Sequence, residues 1–180
     1  KNINDDFYYA YKKRLIEEKG DDLKLFIQSF YDSRRYIKDM NEEFWILLNQ
    51  PFEKEVRIFI EVYKRYNVGI LSTKQKYAII SILHYYGIPI DPNVVFAKEN
   101  DFIHKGKKIK EIINLWGIVE RDLHFVDDLI ENLLKIRNYA KGVNLYMSSW
   151  GYNNFAHRSL AKKNGIKIID SIDYLIRKGE

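Results

Sequence analysis

Leu123-His124-Phe125-Val126-Asp127-Asp128 is a short, largely apolar run that stops at two adjacent carboxylates. Val68-Gly69-Ile70-Leu71-Ser72-Thr73 has the same form, ending in two hydroxyls. Neither run alternates apolar and polar residues, as a strand with one wet face would. Continuous apolar runs of this length fit strands buried on both faces of a parallel sheet.

Working outward, helical spacing fills the gaps between such runs. Glu53 to Tyr66 places Val56, Phe59, Ile60 and Tyr63 on one face. Lys74 to Tyr86 carries Ala78, Ile79, Ile82 and Leu83 and is closed by Gly87. Lys107 to Trp116 is closed by Gly117, and Leu129 to Tyr139 follows the double acid. Further strands are expected at Val94 to Ala97, Val143 to Met147 and Lys167 to Ile169. Strands alternating with helices predict an α/β domain over residues 51–180, a Rossmann-like parallel sheet with helices on both faces.

Before Pro51 the pattern differs. Phe7, Tyr8, Tyr11, Leu15 and Ile16 recur at helical spacing after Asp5 and Asp6. Leu23, Phe26, Ile27 and Phe30 do the same after Asp21 and Asp22, and Phe44, Trp45, Leu47 and Leu48 form a third, shorter group. Acids at a helix start favour the positive end of the helix dipole. Residues 1–50 are therefore expected to be a small all-helical unit, its aromatic residues used in helix packing.

Composition narrows the function classes. The chain has 180 residues, 46% of them hydrophobic and 31% charged, which excludes a largely disordered protein. It has no cysteine, so disulfides, thiolate metal sites and cysteine nucleophiles are all excluded. The net charge of +5 comes from 30 basic and 25 acidic residues that are mixed along the chain. Nucleic-acid binders concentrate their positive charge, so nucleic acid is a disfavoured partner. No apolar run is long enough to span a bilayer, and Lys1 to Asp6 lacks the layout of a signal peptide. A cytoplasmic protein with no membrane contact is expected.

In an open parallel sheet, ligands bind beyond the carboxyl ends of the strands. The residues expected there are Ser72 and Thr73, Asp127 and Asp128, and the loop Lys105-Gly106-Lys107. Hydroxyls can hold phosphate oxygens, and a lysine neutralises phosphoryl charge. Carboxylates suit magnesium, a hard cation that prefers oxygen. The set is a phosphoryl-transfer constellation. Each part also has a plain structural use, Ser72 and Asp127 as helix caps and Lys105 as a solvated side chain.

These segments also resemble, in order, the motifs of one family. Val68 to Lys74 is similar to the second motif of the haloacid dehalogenase superfamily, His104-Lys105-Gly106-Lys107-Lys108-Ile109 to the third, and Leu123 to Asp128 to the fourth. Trp150-Gly151-Tyr152 resembles the segment after the fifth strand, and Gly165-Ile166 with Ile172 to Leu175 the closing stretch. The resemblance runs from about Phe52 to Glu180. It implies a magnesium-dependent phosphatase acting on a small phosphorylated substrate. Ser72 and Thr73 would bind the phosphoryl oxygens, Lys105 (or Lys107 in reserve) would stabilise the nucleophile and the phosphoryl group, and Asp128 with Asp127 would hold magnesium. Residues 1–50 would be the helical cap.

One part of the pattern is missing. The family's first motif is an apolar strand ending in Asp-x-Asp, and no Asp-x-Asp occurs in the 180 residues. The expected nucleophile therefore lies outside this chain, on a strand between those ending at Leu71 and Val126. Two other readings stand beside the hydrolase: a catalytically incompetent binding module of the same fold, and a nucleic-acid-processing protein using the lysines and 14 tyrosines.

Overall fold

The structure is a computed structural model that describes residues 14, 17–98 and 104–177. The helix expected from the spacing of Phe7, Tyr8, Tyr11, Leu15 and Ile16 falls outside them. The chain divides into two compact units, Lys1–Gln50 and Pro51–Glu180.

In the first unit, α1 spans Gly20–Met40, with Asp21 and Asp22 in its first turn and Lys38 in its last. Both ends therefore complement the helix dipole. The short α2, Glu42–Leu47, starts where the Asn41 side chain accepts a hydrogen bond from Phe44 N at 2.9 Å. That is an N-cap, and it satisfies one of the orphan donors of a helix start. Trp45 and Ile46 are buried, with the Arg34 guanidinium 5.9 Å from the indole. Phe26, Phe30, Tyr36 and Phe44, expected to pack between helices, are exposed.

The second unit is mixed α/β, and all its strands pair in parallel. It opens with α3, Glu53–Arg65. Glu55 Oε2 in its first turn accepts from Ile172 N at 2.9 Å, which ties α3 to the end of the chain. Then come β1 (Ile70–Gln75), α4 (Lys76–Tyr85) and β2 (Val95–Lys98). They are followed by α5 (Lys105–Trp116), β3 (His124–Asp127) and α6 (Ile130–Tyr139). The last elements are β4 (Asn144–Ser148), α7 (Phe155–Lys163), β5 (Lys167–Ile169) and α8 (Asp173–Arg177).

The strands form two sheets rather than the single sheet expected. One is β1–β2 and the other β3–β4–β5. Among the described residues β1 and β3 are not hydrogen-bonded to each other, so each presents an edge. Burial follows from this. Leu145, Tyr146, Met147 and Ser148 of β4, flanked on both sides, are all buried, whereas Phe125 and Val126 of β3 and Ile70 and Leu71 of β1 are only half-buried.

One core serves the second sheet. Ile109 and Ile113 of α5 meet Ile130, Leu133 and Ile136 of α6 over Leu145 and Met147. Leu71 of β1 packs against the same cluster. Ile130, Leu133, Ile136 and Met147 are fully buried, so each contributes about 1.5–3 kcal/mol relative to exposure.

Most expected boundaries move by one or two residues, and three of the shifts bear on the site. β1 continues through Ser72 and Thr73 to Gln75, because Gln75 pairs with Lys98 after a break in register that begins at Leu71. Ser72, Thr73 and Lys74 thus lie in a bulged part of the strand and not beyond its end. α5 begins at Lys105, two residues early, since the His104 side chain caps it by accepting from Lys107 N. β3 includes Asp127 as its last residue, and that residue is buried.

Candidate active site

Asp127 is the last residue of β3, and Lys105 is the first of α5. Their side chains meet, with Lys105 Nζ donating to Asp127 Oδ2 at 2.5 Å. The lysine side chain is 11% exposed and the carboxylate 5%, so neither charge is left to water. The ammonium also lies 5.8 Å from the centre of the Phe125 ring.

The rest of the carboxylate is used as well. Asp127 Oδ1 accepts from Leu129 N at 2.9 Å, and Asn132 Nδ2 donates at 3.2 and 3.3 Å to the two oxygens. Asp127 therefore turns the chain from β3 into α6 while neutralising Lys105. A buried ion pair needs such extra hydrogen bonds to offset its desolvation.

The start of α5 is unusual in charge. Its first turn contains no acid and carries Lys105, Lys107 and Lys108. Cations are disfavoured at the positive end of a helix dipole. Gly106 lets this end approach α6, because a Cβ there would stand 2.6 Å from Tyr139 Cδ2 and 2.9 Å from Lys135 O. Lys105, the neighbouring residue, bonds to Asp127. Lys107, the reserve for the active lysine, is exposed and does not share it.

Asp128 faces a different neighbour. Its Oδ2 accepts from Tyr152 N at 2.7 Å, in the loop between β4 and α7. Gly151 makes this possible, since a Cβ at that position would fall 2.2 Å from Asp128 Cβ.

The structure thus brings Lys105 and Asp127 together, with Asp128 next in the chain. Ser72 and Thr73 sit on the other sheet. Ser72 Oγ accepts locally from Lys74 N at 3.1 Å. Among the described residues no hydrogen bond or ion pair joins Ser72 or Thr73 to the Lys105–Asp127–Asp128 group. Gly106 and Gly151 lie inside the segments Lys105-Gly106-Lys107 and Trp150-Gly151-Tyr152 that the sequence marks, but nothing there points to their close contacts. Asn132 carries no sequence signal beyond its spacing from the double acid, which does not by itself mark a contact.

The fit to magnesium can be tested on the donors. Carboxylate oxygens are the right kind of donor for a hard cation. Asp127 is already neutralised by Lys105, and Asp128 has one oxygen committed to Tyr152 N. Among the described residues no three acidic or histidine side chains cluster closely enough to hold an ion. A magnesium ion here would rest on the second Asp128 oxygen together with oxygens from outside that set.

No family model, curated protein or solved structure matches the chain. No helix among the described residues is long and apolar enough to cross a membrane.

Proposed function

We propose that this chain carries the phosphate-binding and metal-binding part of a phosphate-monoester hydrolase of the haloacid dehalogenase type. The observation that carries the reading is the Lys105–Asp127 pair at the carboxyl end of a parallel strand, with Asp128 beside it. A buried lysine at a strand end beside two acids suits the charge stabilisation that phosphoryl transfer uses.

The reaction has two steps. A carboxylate supplied from outside these 180 residues attacks phosphorus, and the ester oxygen leaves with a proton from a second acid. Water then attacks the aspartyl-phosphate, which releases inorganic phosphate and regenerates the carboxylate. Magnesium, if bound, would neutralise charge on the phosphoryl oxygens, and the second oxygen of Asp128 would help to hold it. Lys105 keeps two N–H donors beyond the one given to Asp127 and offers them to a phosphoryl oxygen. The hydroxyls of Ser72 and Thr73 offer further donors from β1. In this reading the strand that bears the nucleophile would join β1 to β3 and make one Rossmann-like sheet of the two.

A second reading, a binding module without turnover, is favoured by one specific fact: the sequence contains no Asp-x-Asp. Two checks separate them. The gene ahead of Lys1 either encodes an apolar run ending in Asp-x-Asp or does not. Protein carrying such a run should hydrolyse p-nitrophenyl phosphate only with magnesium. Asp128→Ala should then lower turnover by orders of magnitude while the circular dichroism spectrum stays the same. Full magnesium-dependent turnover in Asp128→Ala would remove the assigned metal role, and no turnover in any form would leave the binding module.

A further inference from the structure

The Asp127 carboxylate is used more fully than an ion pair requires. Oδ2 accepts from Lys105 Nζ at 2.5 Å and from Asn132 Nδ2 at 3.3 Å. Oδ1 accepts from Leu129 N at 2.9 Å and from the same Asn132 nitrogen at 3.2 Å. Each oxygen thus meets two donors, and an ionised carboxylate has only about four acceptor sites in all. Asn132 is the one group that touches both oxygens, and no step of the proposed reaction uses it.

Its chemistry runs against its place in the helix. Asn132 is the third residue of α6 and half-buried, and side chains of a first turn lean back toward the helix start. The positive end of a helix dipole favours an acid, and α6 has one there in Glu131. An acid at 132 would set a second carboxylate at the 3.2 Å where the amide nitrogen now stands, and the two like charges would repel. An ionised carboxylate only accepts, so an amide must turn its nitrogen toward it. Closing the turn does not explain the amide, because Leu129 N already bonds to Asp127 Oδ1.

We infer that Asn132 is a positioning residue: it takes one acceptor site on each Asp127 oxygen, fixes the plane of the carboxylate, and so confines Lys105 to a single hydrogen bond with Oδ2, which keeps two ammonium N–H donors for a phosphoryl oxygen. The inference rests on the phosphatase reading for the use of those donors, and on the hydrogen bonds alone for the confinement. Without Asn132 the carboxylate is free to turn about its last bond, and the ammonium settles astride both oxygens. A donor spent on the second oxygen is lost to the phosphoryl group. Asn132 acts on the ligand only through Asp127 and Lys105.

Two measurements on the intact chain separate the confinement from its use. One is the nitrogen-15 ammonium resonance of Lys105, identified by its loss in Lys105→Met. The other is calorimetric titration with inorganic phosphate. Asn132→Leu keeps the size of the side chain and removes the donor, and Asn132→Ser keeps a donor for one oxygen. In Asn132→Leu the Lys105 resonance should move and phosphate binding should weaken about tenfold or more, the worth of one hydrogen bond to a charged group. Asn132→Ser should recover part of the loss. Asn132→Asp should bind phosphate more weakly still, whereas a merely structural role at a helix start predicts that an acid is harmless there. An unmoved Lys105 resonance in folded Asn132→Leu and Asn132→Ser overturns the inference, whatever phosphate does. A resonance that moves while phosphate binds all forms equally also overturns it, and leaves the phosphatase reading standing. A resonance that moves in a chain that binds no phosphate supports the confinement and removes the phosphate end of that reading.

Discussion

Lys105 and Asp127 stand 22 residues apart in the chain, yet their side chains share a buried hydrogen-bonded ion pair at 2.5 Å. Neither partner can be removed without stranding the other. Asp127→Ala leaves an ammonium that is 11% exposed with no counter-charge, beside the uncapped turn into α6. The expected loss is about 3–5 kcal/mol in urea denaturation. Lys105→Met with Asp127→Asn should recover much of it, because an apolar replacement of both charges is tolerated far better than the loss of one. A loss below about 1 kcal/mol for Asp127→Ala, the scale of a surface pair, would mean that the pair is solvated.

Gly106 sets where that lysine stands. An alanine Cβ would lie 2.6 Å from Tyr139 Cδ2 and 2.9 Å from Lys135 O, and the second of these is backbone that cannot rotate away. The start of α5 must then lift from α6. Gly106→Ala should destabilise by about 1–3 kcal/mol, the usual penalty of overpacking. It does so despite alanine being the better helix former. Comparison with Gly20→Ala, where an added Cβ meets nothing within 4 Å, controls for propensity in the thermal melt. Equal melting shifts for the two variants would contradict the close contact.

How much of this was legible in the sequence can be read from particular residues. β5 falls on Lys167–Ile169 as its apolar pattern requires, and the helix after the double acid ends at Tyr139 as expected. These depend on local pattern alone. The end of β1 does not, because Gln75 is held by Lys98 on another strand. Asp127 looks like a residue beyond a strand until its charge is neutralised by Lys105, which sequence spacing cannot reveal. Of the residues expected together beyond the strand ends, Lys105 and Asp127 bond to each other, whereas Ser72 and Thr73 lie on the other sheet. Sequence pattern has no means of telling which acid pairs with the lysine and which receives Tyr152 N. The division into two sheets is likewise a fact of pairing, and no residue within β1 or β3 announces it.

Tyr146 gives a pH-dependent signature. It is 4% exposed, its hydroxyl lies 3.1 Å from His124 Nδ1, and its ring is 6.1 Å from that of Tyr174. Burial pushes its phenol above the ordinary value, the neighbouring Tyr174 adds to this, and Lys167 opposes it. The folded protein therefore keeps this proton at a pH where the unfolded chain has lost it. Stability from Tyr146 is full below the ordinary tyrosine value of about 10 and falls as pH rises through the higher folded value. Chemical denaturation across that window should show a steeper decline for the unaltered protein than for Tyr146→Phe. Parallel curves would show that the phenol is not shifted.

The edges of β1 and β3 make the last prediction. β4 bonds to a strand on each side, while β1 and β3 each bond to one among the described residues. Amide exchange should follow that difference. The amides of Leu145 and Met147 should be protected to near the global stability, and part of the Ile70–Leu71 and Phe125–Val126 set should exchange many times faster. Appending an apolar strand that ends in Asp-x-Asp ahead of Lys1 should protect those same amides. Each newly paired buried group should add about 0.5–1.5 kcal/mol to stability. A handful of such bonds is a large fraction of the roughly 5–15 kcal/mol typical of a domain, so the melting temperature should rise visibly. Fast exchange that persists after the strand is added would mean that the two edges do not face a common gap. The phosphatase reading would then lose the place for its nucleophile, and a binding module built on two separate sheets would replace it.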